Sequence, residues 1–198
     1  SERGTRRARL RIPMHGHHNV LNATAAAVAM AVNGMSFDAI VPALAAFQGV
    51  GRRQELIAEC RGTTVLDDYG HHPVEIRAVV RSLRQRFPDR RLVIIFQPHQ
   101  ASRTRCLMKE FAVALAEADA VWLPPIFFAR DSAEERRAVT SDDLARHVRN
   151  EGGDALTLPD LPAAVAHAEA HLRPGDVVVT MGAGNIDEVA RGIARRLQ

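Results

Sequence analysis

The sequence predicts an α/β protein with a doubly wound, mostly parallel sheet, preceded by a helical N-terminal segment. Short apolar runs, "TTVL", "RLVIIF", "AVWL" and "DVVVTMG", alternate with amphipathic stretches of single-helix length. Such alternation is typical of parallel strands joined by helical crossovers. The helical pattern of the first part stops at the glycine-arginine loop "QGVGRRQE". We therefore expect a domain boundary there, between residues 1–53 and 54–198.

The first segment is predicted to hold the end of a strand and two helices. "ARLRIPM" indicates the strand, and alanine-rich "HNVLNATAAAVAMAVNG" indicates a helix that ends at Gly34. Ser36 is placed to cap the second helix, "SFDAIVPALAAF".

The second segment opens with two predicted strands, "ELIAEC" and "TTVLDD", about a tight turn. Pro73 favours the start of a helix whose apolar face carries Ile76, Val79, Val80 and Leu83. The remaining elements are predicted as strand "RLVIIF", helix "RTRCLMKEFAVALAEA", strand "AVWL", a loop through "PPIFFARDSAEERRAV", helix "SDDLARHVRNE", extended "ALTL", helix "LPAAVAHAEAHL", strand "DVVVTMG" and helix "NIDEVARGIARRL".

Composition excludes several classes of protein. With 46% hydrophobic and 25% charged residues the chain is globular, and it has no run of 18 apolar residues and no apolar stretch behind "SERGTRRARLRI". We therefore expect no membrane span, no secretory signal and a cytoplasmic location. Cys60 and Cys106 lack a CxxC spacing, which argues against a disulfide framework. The net charge of +3 comes from scattered arginines and a single lysine, Lys109, so we expect no nucleic-acid partner.

Three polar clusters follow predicted strands: "DDYGHHP" after "TTVL", "QPHQASRTR" after "LVIIF" and "GAGN" after "VVVTM". In open parallel sheets ligands bind beyond the carboxyl ends of the strands. We therefore expect the three clusters to share one edge of the sheet.

Each cluster allows two interpretations from its residues alone. Asp68 is suited either to capping the helix at Pro73 or to binding a vicinal diol such as ribose. Arg103 in "SRTR" either lines a solvated helix start or binds an anion, because positive charge there opposes the helix dipole. "GAGN" is either a turn or a phosphate contact. Asn19 and Asn22 are either capping residues or amides that face a purine.

The histidines do not predict a metal site. His71 and His72 suit one packing contact and one solvated ring. His15, His17 and His18 add further imidazoles, but the spacing "HGHH" fits no standard zinc site. We expect no bound metal from these residues.

Five segments in this order resemble the Mur ligases of peptidoglycan synthesis: "GHHNVLNATAAAVA", "FQGVGRRQE", "LDDYGHHPVEI", "IIFQPHQASRTR" and "VVVTMGAGNI". The resemblance spans essentially the whole chain. "DDYGHHP" with "FQPH" and "RTR" resembles the subfamily that adds L-alanine to UDP-N-acetylmuramate, whereas HN-x-x-N is similar across the family.

The resemblance implies an ATP-dependent ligase of three domains. Residues 1–53 would be the remnant of the central ATPase domain, and residues 54–198 the Rossmann-like C-terminal domain. ATP, with Mg²⁺, would phosphorylate the carboxylate of UDP-N-acetylmuramate, and the amine of L-alanine would attack the acyl phosphate to form an amide.

For the nucleotide, the resemblance implies contacts from both segments. His18, Asn19 and Asn22 would approach the adenine. Arg53 would reach the phosphates, and Asp68 would bind the ribose.

For the acceptor, the resemblance implies catalytic roles for His71 and Arg103. Tyr69 and His99 would bind substrate beside them, and Arg103 would hold the L-alanine carboxylate in a bidentate pair. The loop "DDYGHHP" would then contact the nucleotide through Asp68 and the acceptor through His71.

The sequence departs from the family pattern at several positions. Gln100 and Ala101 stand where an arginine and a tyrosine are usual, and Gln54 stands where an aromatic residue is usual. His15 replaces a common proline.

A phosphate-binding P-loop would need glycines followed by lysine, but Lys109 lies in a predicted amphipathic helix. Most contacts to ATP and Mg²⁺ are therefore expected from the N-terminal and central domains of the same enzyme, and the chain alone is expected to be inactive. The alternatives are a binding module for a nucleotide or an amino acid, of Mur ligase ancestry but without ligase activity, and a basic nucleic-acid-binding domain.

Overall fold

A computed structural model describes residues 8–14 and 16–198 of the chain. Two compact units, Ser1–Val50 and Gly51–Gln198, make up the protein. The boundary between them falls within the loop "QGVGRRQE". No helix in the described ranges is long and apolar enough to cross a membrane.

The first unit contains the helices α1 (His17–Val32) and α2 (Phe37–Ala46). The end of α1 is the one predicted. Gly34 has a φ of 88°, its N–H donates to the carbonyl of Ala31, and the N–H of Met35 donates to the carbonyl of Met30. This pair of bonds is a Schellman motif, which glycine permits because it has no Cβ.

The strand predicted over "ARLRIPM" is wrong, because residues 8–14 form no regular element. A strand is stable only when a neighbour completes its ladder of hydrogen bonds. Among the described residues of the first unit no strand is present to pair with this segment.

The second unit is the predicted α/β domain. Its strands are β1 (Glu55–Cys60), β2 (Thr63–Asp68), β3 (Leu92–Phe96), β4 (Ala120–Leu123), β5 (Ala155–Thr157) and β6 (Val177–Met181). Its helices are α3 (Pro73–Arg86), α4 (Ala101–Cys106), α5 (Met108–Leu115), α6 (Ala133–Ala138), α7 (Ser141–Asn150), α8 (Leu161–His171) and α9 (Asp187–Leu197).

The strands form one sheet in the order β1-β2-β6-β3-β4-β5. β1 is antiparallel to β2, and all other neighbours are parallel. The predicted doubly wound, mostly parallel sheet is confirmed. The insertion of β6 between β2 and β3 brings the loops after these three strands to the centre of one edge.

Side chains of each strand point alternately to the two faces of the sheet, and they form a buried core on each face. In β3, Leu92, Ile94 and Phe96 join one buried cluster, whereas Val93 and Ile95 join the other. The first cluster is covered by α3, α5 and α7, and the second by α8 and α9. Both faces of the sheet are therefore buried, as parallel sheets require.

Two helix boundaries differ from the prediction. The helix predicted over "RTRCLMKEFAVALAEA" is interrupted at Leu107, where φ is −110°. The loop predicted over "PPIFFARDSAEERRAV" contains α6, because Ser132 and Glu135 form a reciprocal capping box at its start.

Candidate functional site

The three polar clusters meet at one edge of the sheet, as predicted. Asp68 at the end of β2 and Phe96 at the end of β3 both pair in register with Met181 at the end of β6. Hydrogen bonds between the strands continue one residue further, where the N–H of Gly182 donates to the carbonyl of Asp68 over 3.2 Å. The N–H of Gln97 donates to the carbonyl of Met181 over 2.9 Å. The loops therefore leave the sheet at the same level.

Asp68 is a buried carboxylate with two backbone partners. Its Oδ1 accepts from the N–H of Gly70 over 2.7 Å, and its Oδ2 accepts from the N–H of Gln54 over 2.9 Å. Burial raises the pKa of Asp68 to about 6, although the two hydrogen bonds and the charge of Arg53 favour the ionised form. Each carboxylate oxygen has a second lone pair, which leaves acceptor capacity for the hydroxyls of a ribose.

Asp68 does not cap α3, so that interpretation is wrong. The N-cap is His72, whose Nδ1 accepts from the N–H of Val74 over 3.3 Å. The carboxylate of Glu75 accepts from the N–H groups of His72 and His71 and completes the box. The oxygens of Asp68 instead accept from the N–H groups of Gly70 and Gln54, neither of which belongs to the helix.

Arg52 makes a set of contacts that sequence reasoning missed. Its Nε donates to Oδ2 of Asp67 over 2.8 Å, and its Nη2 and Nη1 donate to the carbonyls of Gly182 and Gly184 over 2.8 and 3.0 Å. Thr180 donates its hydroxyl to the other oxygen of Asp67. Burial raises the pKa of Asp67, whereas the bonds from Thr180 and Arg52 lower it.

Arg52 therefore joins the end of β2 to the loop that follows β6. The signal was present in the sequence, because two consecutive aspartates at the end of a buried strand need a nearby cation. The pair Arg52–Arg53 offers two candidates, however, and nothing in the sequence distinguishes them.

Arg53 and Tyr69 lie beside each other at the same edge. The guanidinium carbon of Arg53 is 5.7 Å from the centre of the Tyr69 ring, and that of Arg52 is 5.2 Å from it. Arg53 is exposed, so its charge is available to a ligand in solution.

His71 and His99 bring the first and second clusters together. Their ring centroids are 6.3 Å apart, and Nδ1 of His71 donates to the carbonyl of Tyr69 over 3.1 Å. His99 stacks on Phe127, with centroids 5.4 Å apart and an interplanar angle of 13°. Burial lowers the pKa of His99, and the charges of Arg103 and His71 lower it further, so His99 is neutral at neutral pH.

Arg103 lies in the first turn of α4, which Asp131 holds in place. Oδ1 of Asp131 accepts from the N–H of Ala101 over 2.9 Å and from that of Ser102 over 3.5 Å. The residue before the helix, Gln100, has a φ of 70°, so the chain turns sharply at one of the departures from the family pattern. Ala101, the next departure along the chain, is buried.

Buried polar atoms without a hydrogen-bond partner are concentrated near this helix. In the described part of the chain they number five, and four of them belong to the loops after β3 and β4 or to α4: Oε1 of Gln97, Nδ1 of His99, Nη1 of Arg103 and Oδ2 of Asp131. A buried polar atom without a partner costs about 1–3 kcal/mol. Such a concentration is typical of a ligand site, where the ligand completes the hydrogen bonds.

The "GAGN" loop is shaped by close packing. A Cβ on Gly182 would lie 2.7 Å from the carbonyl oxygen of Gln97, and one on Gly184 would lie 2.7 Å from the ring of Phe127. The first turn of α9 already carries two carboxylates, Asp187 and Glu188, which offset the positive end of its dipole. These contacts favour the turn interpretation over the phosphate contact.

The remaining predicted residues lie in the first unit. His18, Asn19 and Asn22 occupy the first two turns of α1, where His18 and Asn19 are half-buried and Asn22 is exposed. Their spacing of three and four residues places them on one side of the helix. His15 lies outside the described residues.

The cavity of the second unit and the search for a metal site both leave out the candidate site residues. A cavity of about 440 Å³ opens at the ends of β4 and β5, and none of the predicted site residues lines it. Within residues 8–14 and 16–198, no three His, Cys, Asp or Glu side chains are grouped as a metal would require.

Comparisons with known proteins agree with this architecture. The family model of the Mur ligase glutamate ligase domain matches residues 52–184. A UDP-N-acetylmuramate–L-alanine ligase of Geobacter sp. is 41% identical over 198 residues, covering 99% of this chain and 42% of the relative. A ligase of the same name from Acidithiobacillus ferrooxidans is 45% identical over 175 residues, covering 88% of this chain and 37% of the relative.

A solved structure shows the same arrangement of elements. The crystal structure of UDP-N-acetylmuramate–alanine ligase from Thermotoga maritima matches with a TM-score of 0.76 at 27% identity, covering 98% of this chain and 40% of that one. The chain thus spans about two fifths of the length of the relatives it matches.

Proposed function

The chain belongs to the Mur ligase family, and from this premise we propose that it is part of an ATP-dependent ligase that joins L-alanine to UDP-N-acetylmuramate. The family resemblance inferred from the motifs is confirmed by the match over residues 52–184. We infer further that residues 1–53 derive from the central ATPase domain, that residues 54–198 form the C-terminal domain, and that the ligase works in the bacterial cytoplasm, where ATP is available.

The observation that carries the proposal is the meeting of two kinds of group at one sheet edge. Asp68 supplies a carboxylate with spare acceptor capacity, and Arg53 supplies an exposed cation beside it. His71 and His99 on the adjoining loops and Arg103 on α4 supply donors. A nucleotide and an amino acid are the ligands that need these two sets together.

The proposed reaction has two steps. The terminal phosphoryl group of ATP passes to the carboxylate of UDP-N-acetylmuramate, which releases ADP and forms an acyl phosphate. The amine of L-alanine then attacks the acyl carbon, the bond to phosphate breaks, and an amide forms. Mg²⁺ would neutralise charge on the phosphates when bound. No cluster of three potential ligands is present in the described residues, so the Mg²⁺ ligands are proposed to lie elsewhere in the longer enzyme.

The chain's own residues would bind and orient the substrates. Asp68 would accept the ribose hydroxyls, and Arg53 would contact the phosphates. His18, Asn19 and Asn22 would bind the adenine.

At the acceptor end, Arg103 would pair with the carboxylate of L-alanine. Its buried Nη1 without a partner and the neutral His99 suit that ligand. His71 and Tyr69 would complete the pocket, and His71 would hold the amine toward the acyl carbon.

Two variants of the complete enzyme test the two ends separately. Asp68→Asn should raise the apparent KM for ATP about tenfold, which corresponds to about 1.4 kcal/mol for one charge-assisted bond. Arg103→Lys keeps the charge but loses the planar fork, so it should raise the KM for L-alanine and leave that for ATP nearly unchanged. Arg105→Lys, two residues further along α4 and exposed, is the matched control.

The result that refutes each role is specific. If Asp68→Asn leaves ATP dependence intact, Asp68 does not bind the ribose. If Arg103→Lys behaves like Arg105→Lys, Arg103 does not bind the acceptor. If the complete enzyme binds ATP and L-alanine but forms no amide, the alternative of a binding module without ligase activity is correct.

A further inference from the structure

The helix that carries Arg103, α4, has no cap within its own sequence. Its N-cap residue, Gln100, makes no side-chain hydrogen bond to the helix and adopts a φ of 70°. The first turn holds no acidic residue, and Arg103 and Arg105 add positive charge to a helix of only six residues. Positive charge close to the amino end of a helix is unfavourable. The start of α4 therefore depends on an acceptor from elsewhere in the chain.

Asp131 supplies this acceptor from the loop between β4 and α6. The residue is only 8% exposed, and its Oδ1 accepts from the N–H groups of Ala101 and Ser102 over 2.9 and 3.5 Å. Its Oδ2 is also buried and has no hydrogen-bond partner among the described residues. A buried carboxylate with an unpaired oxygen is costly, so a contribution to stability alone does not explain Asp131.

The loop that carries Asp131 is itself held in place. Nε of Arg136 on α6 donates to the carbonyl of Asp131 over 3.1 Å. Ile126 and Val139, which lie on either side of Asp131 in the sequence, pack with Ala101 in one buried cluster. Polar and apolar contacts together therefore fix Asp131 relative to the start of α4.

We propose that Asp131 positions Arg103 for the acceptor amino acid by capping α4 from the neighbouring loop. Arg103 lies two residues after Ala101, so the direction of its guanidinium depends on where α4 begins. A bidentate pair with a carboxylate needs the planar guanidinium in one orientation, and a displacement of about 1 Å can lower a rate about 100-fold. Asp131 acts through α4 and touches no substrate, and the proposal rests on the proposed role of Arg103.

The electrostatics of His99 support this arrangement. The positive charge of Arg103 lowers the pKa of His99 beyond the effect of burial, whereas the negative charge of Asp131 raises it. Both charged groups therefore act on the same ring. Asp131 offsets part of the positive charge that Arg103 brings to the acceptor end of the site.

Hydrogen exchange followed by NMR tests the cap without requiring ligase activity. In the 198-residue chain, Asp131→Ala should make the N–H of Ala101 exchange at least about tenfold faster, because its acceptor is lost. Asp131→Asn should keep the protection, since asparagine caps helices about as well as aspartate. Asp160→Ala is the matched control, because Oδ1 of Asp160 accepts from the N–H of Ala163 at the start of α8 over 2.7 Å. This control should expose Ala163 and leave Ala101 protected.

Kinetics of the complete enzyme test the consequence for Arg103. Asp131→Ala should raise the KM for L-alanine about tenfold and change the KM for ATP less than about twofold, because only the acceptor end is displaced. Asp131→Asn keeps the hydrogen bond to α4, so its KM for L-alanine should stay within about threefold of the wild type. Asp160→Ala should change neither KM. A general loss of folded enzyme would lower the measured rate without this separation of the two substrates.

The outcomes separate this proposal from the proposed ligase function. Unchanged exchange at Ala101 in Asp131→Ala shows that Asp131 does not fix α4. An unchanged KM for L-alanine in that variant, or an equal rise for both substrates, overturns the positioning of Arg103. Equal rises in the KM for L-alanine in Asp131→Asn and Asp131→Ala would overturn it as well, because the hydrogen bond to α4 would then not be what matters. A complete enzyme that forms no amide refutes the ligase function instead, and exchange at Ala101 still decides whether Asp131 fixes α4.

Discussion

Replacing Arg52 by alanine should destabilise the second unit strongly, because it leaves a buried carboxylate without its cation. Asp67 is fully buried, and Arg52 is its charged partner at 2.8 Å. Removing one member of a buried ion pair costs about 3–5 kcal/mol. The side chain of Arg52 is 23% exposed, so water recovers part of this loss, and we expect a decrease in the free energy of unfolding of about 2–3 kcal/mol.

Urea unfolding followed by Trp122 fluorescence measures this decrease. For a domain of this size the loss corresponds to a fall in unfolding temperature of roughly 6–9 °C. Arg53→Ala is the matched control, because Arg53 is adjacent and exposed; its effect should stay within about 0.5 kcal/mol. In a background of Asp67→Asn the cost of Arg52→Ala should fall to about 1 kcal/mol, since the buried charge is then absent. The contacts still lost are the bonds to the carbonyls of Gly182 and Gly184 and a partly exposed ion pair with Asp187 at 3.8 Å.

The pH dependence provides an independent check. Burial raises the pKa of Asp67, so its folded form takes up a proton more readily than the unfolded chain does. A protonated Asp67 needs no cation, and the penalty of Arg52→Ala should therefore be smaller at pH 5 than at pH 8. Equal losses for Arg52→Ala and Arg53→Ala would refute the assignment of Arg52 as the partner of Asp67.

Three further substitutions test other parts of the second unit. The pKa of Asp68 is raised from 3.8 to about 6, so its contribution to the free energy of unfolding is largest below pH 3.8 and falls as pH rises through 6. Urea titrations across this pH range should show a fall of about 3 kcal/mol in the wild type, and Asp68→Asn should remove that fall. A flat wild-type profile would contradict the raised pKa. Arg90→Ala should lower the free energy of unfolding by about 2 kcal/mol, because Arg90 donates to three backbone carbonyls and one hydroxyl at the amino ends of the strands; a loss below about 0.5 kcal/mol in urea would show that these bonds do not matter. Gly184→Ala should cost about 1–3 kcal/mol, because the new Cβ would lie 2.7 Å from the ring of Phe127; an unchanged unfolding midpoint would mean that the loop relaxes freely.

The elements that sequence predicts well are those with local signals. Pro73 starts α3, and the face predicted for Ile76, Val79, Val80 and Leu83 is buried as expected. The shared sheet edge also follows from sequence, because parallel strands necessarily align their carboxyl ends.

What sequence could not predict depends on geometry between distant residues. The N-cap of α3 is His72, a residue type with no strong preference for that position. His72 caps the helix because it directly precedes Pro73, whereas Asp68 lies further back in the chain. Arg52 contacts carbonyls about 130 residues away, which no local pattern encodes. The strand predicted over "ARLRIPM" failed for the same reason, since its formation depends on a partner and not on its own alternation.

The adjacent residues Asp67 and Asp68 are of the same type but have different roles in the fold. Successive side chains of a strand point to opposite faces, so Asp67 turns to Arg52 and Thr180 while Asp68 turns to Gln54 and Gly70. Neither can substitute for the other, although they are the same residue one position apart. Because the two residues are identical, deleting either one gives the same sequence, and the single remaining aspartate cannot accept both from Arg52 and from the N–H groups of Gln54 and Gly70. The two aspartates therefore have separate structural roles, and the loss of one should not be compensated by the other.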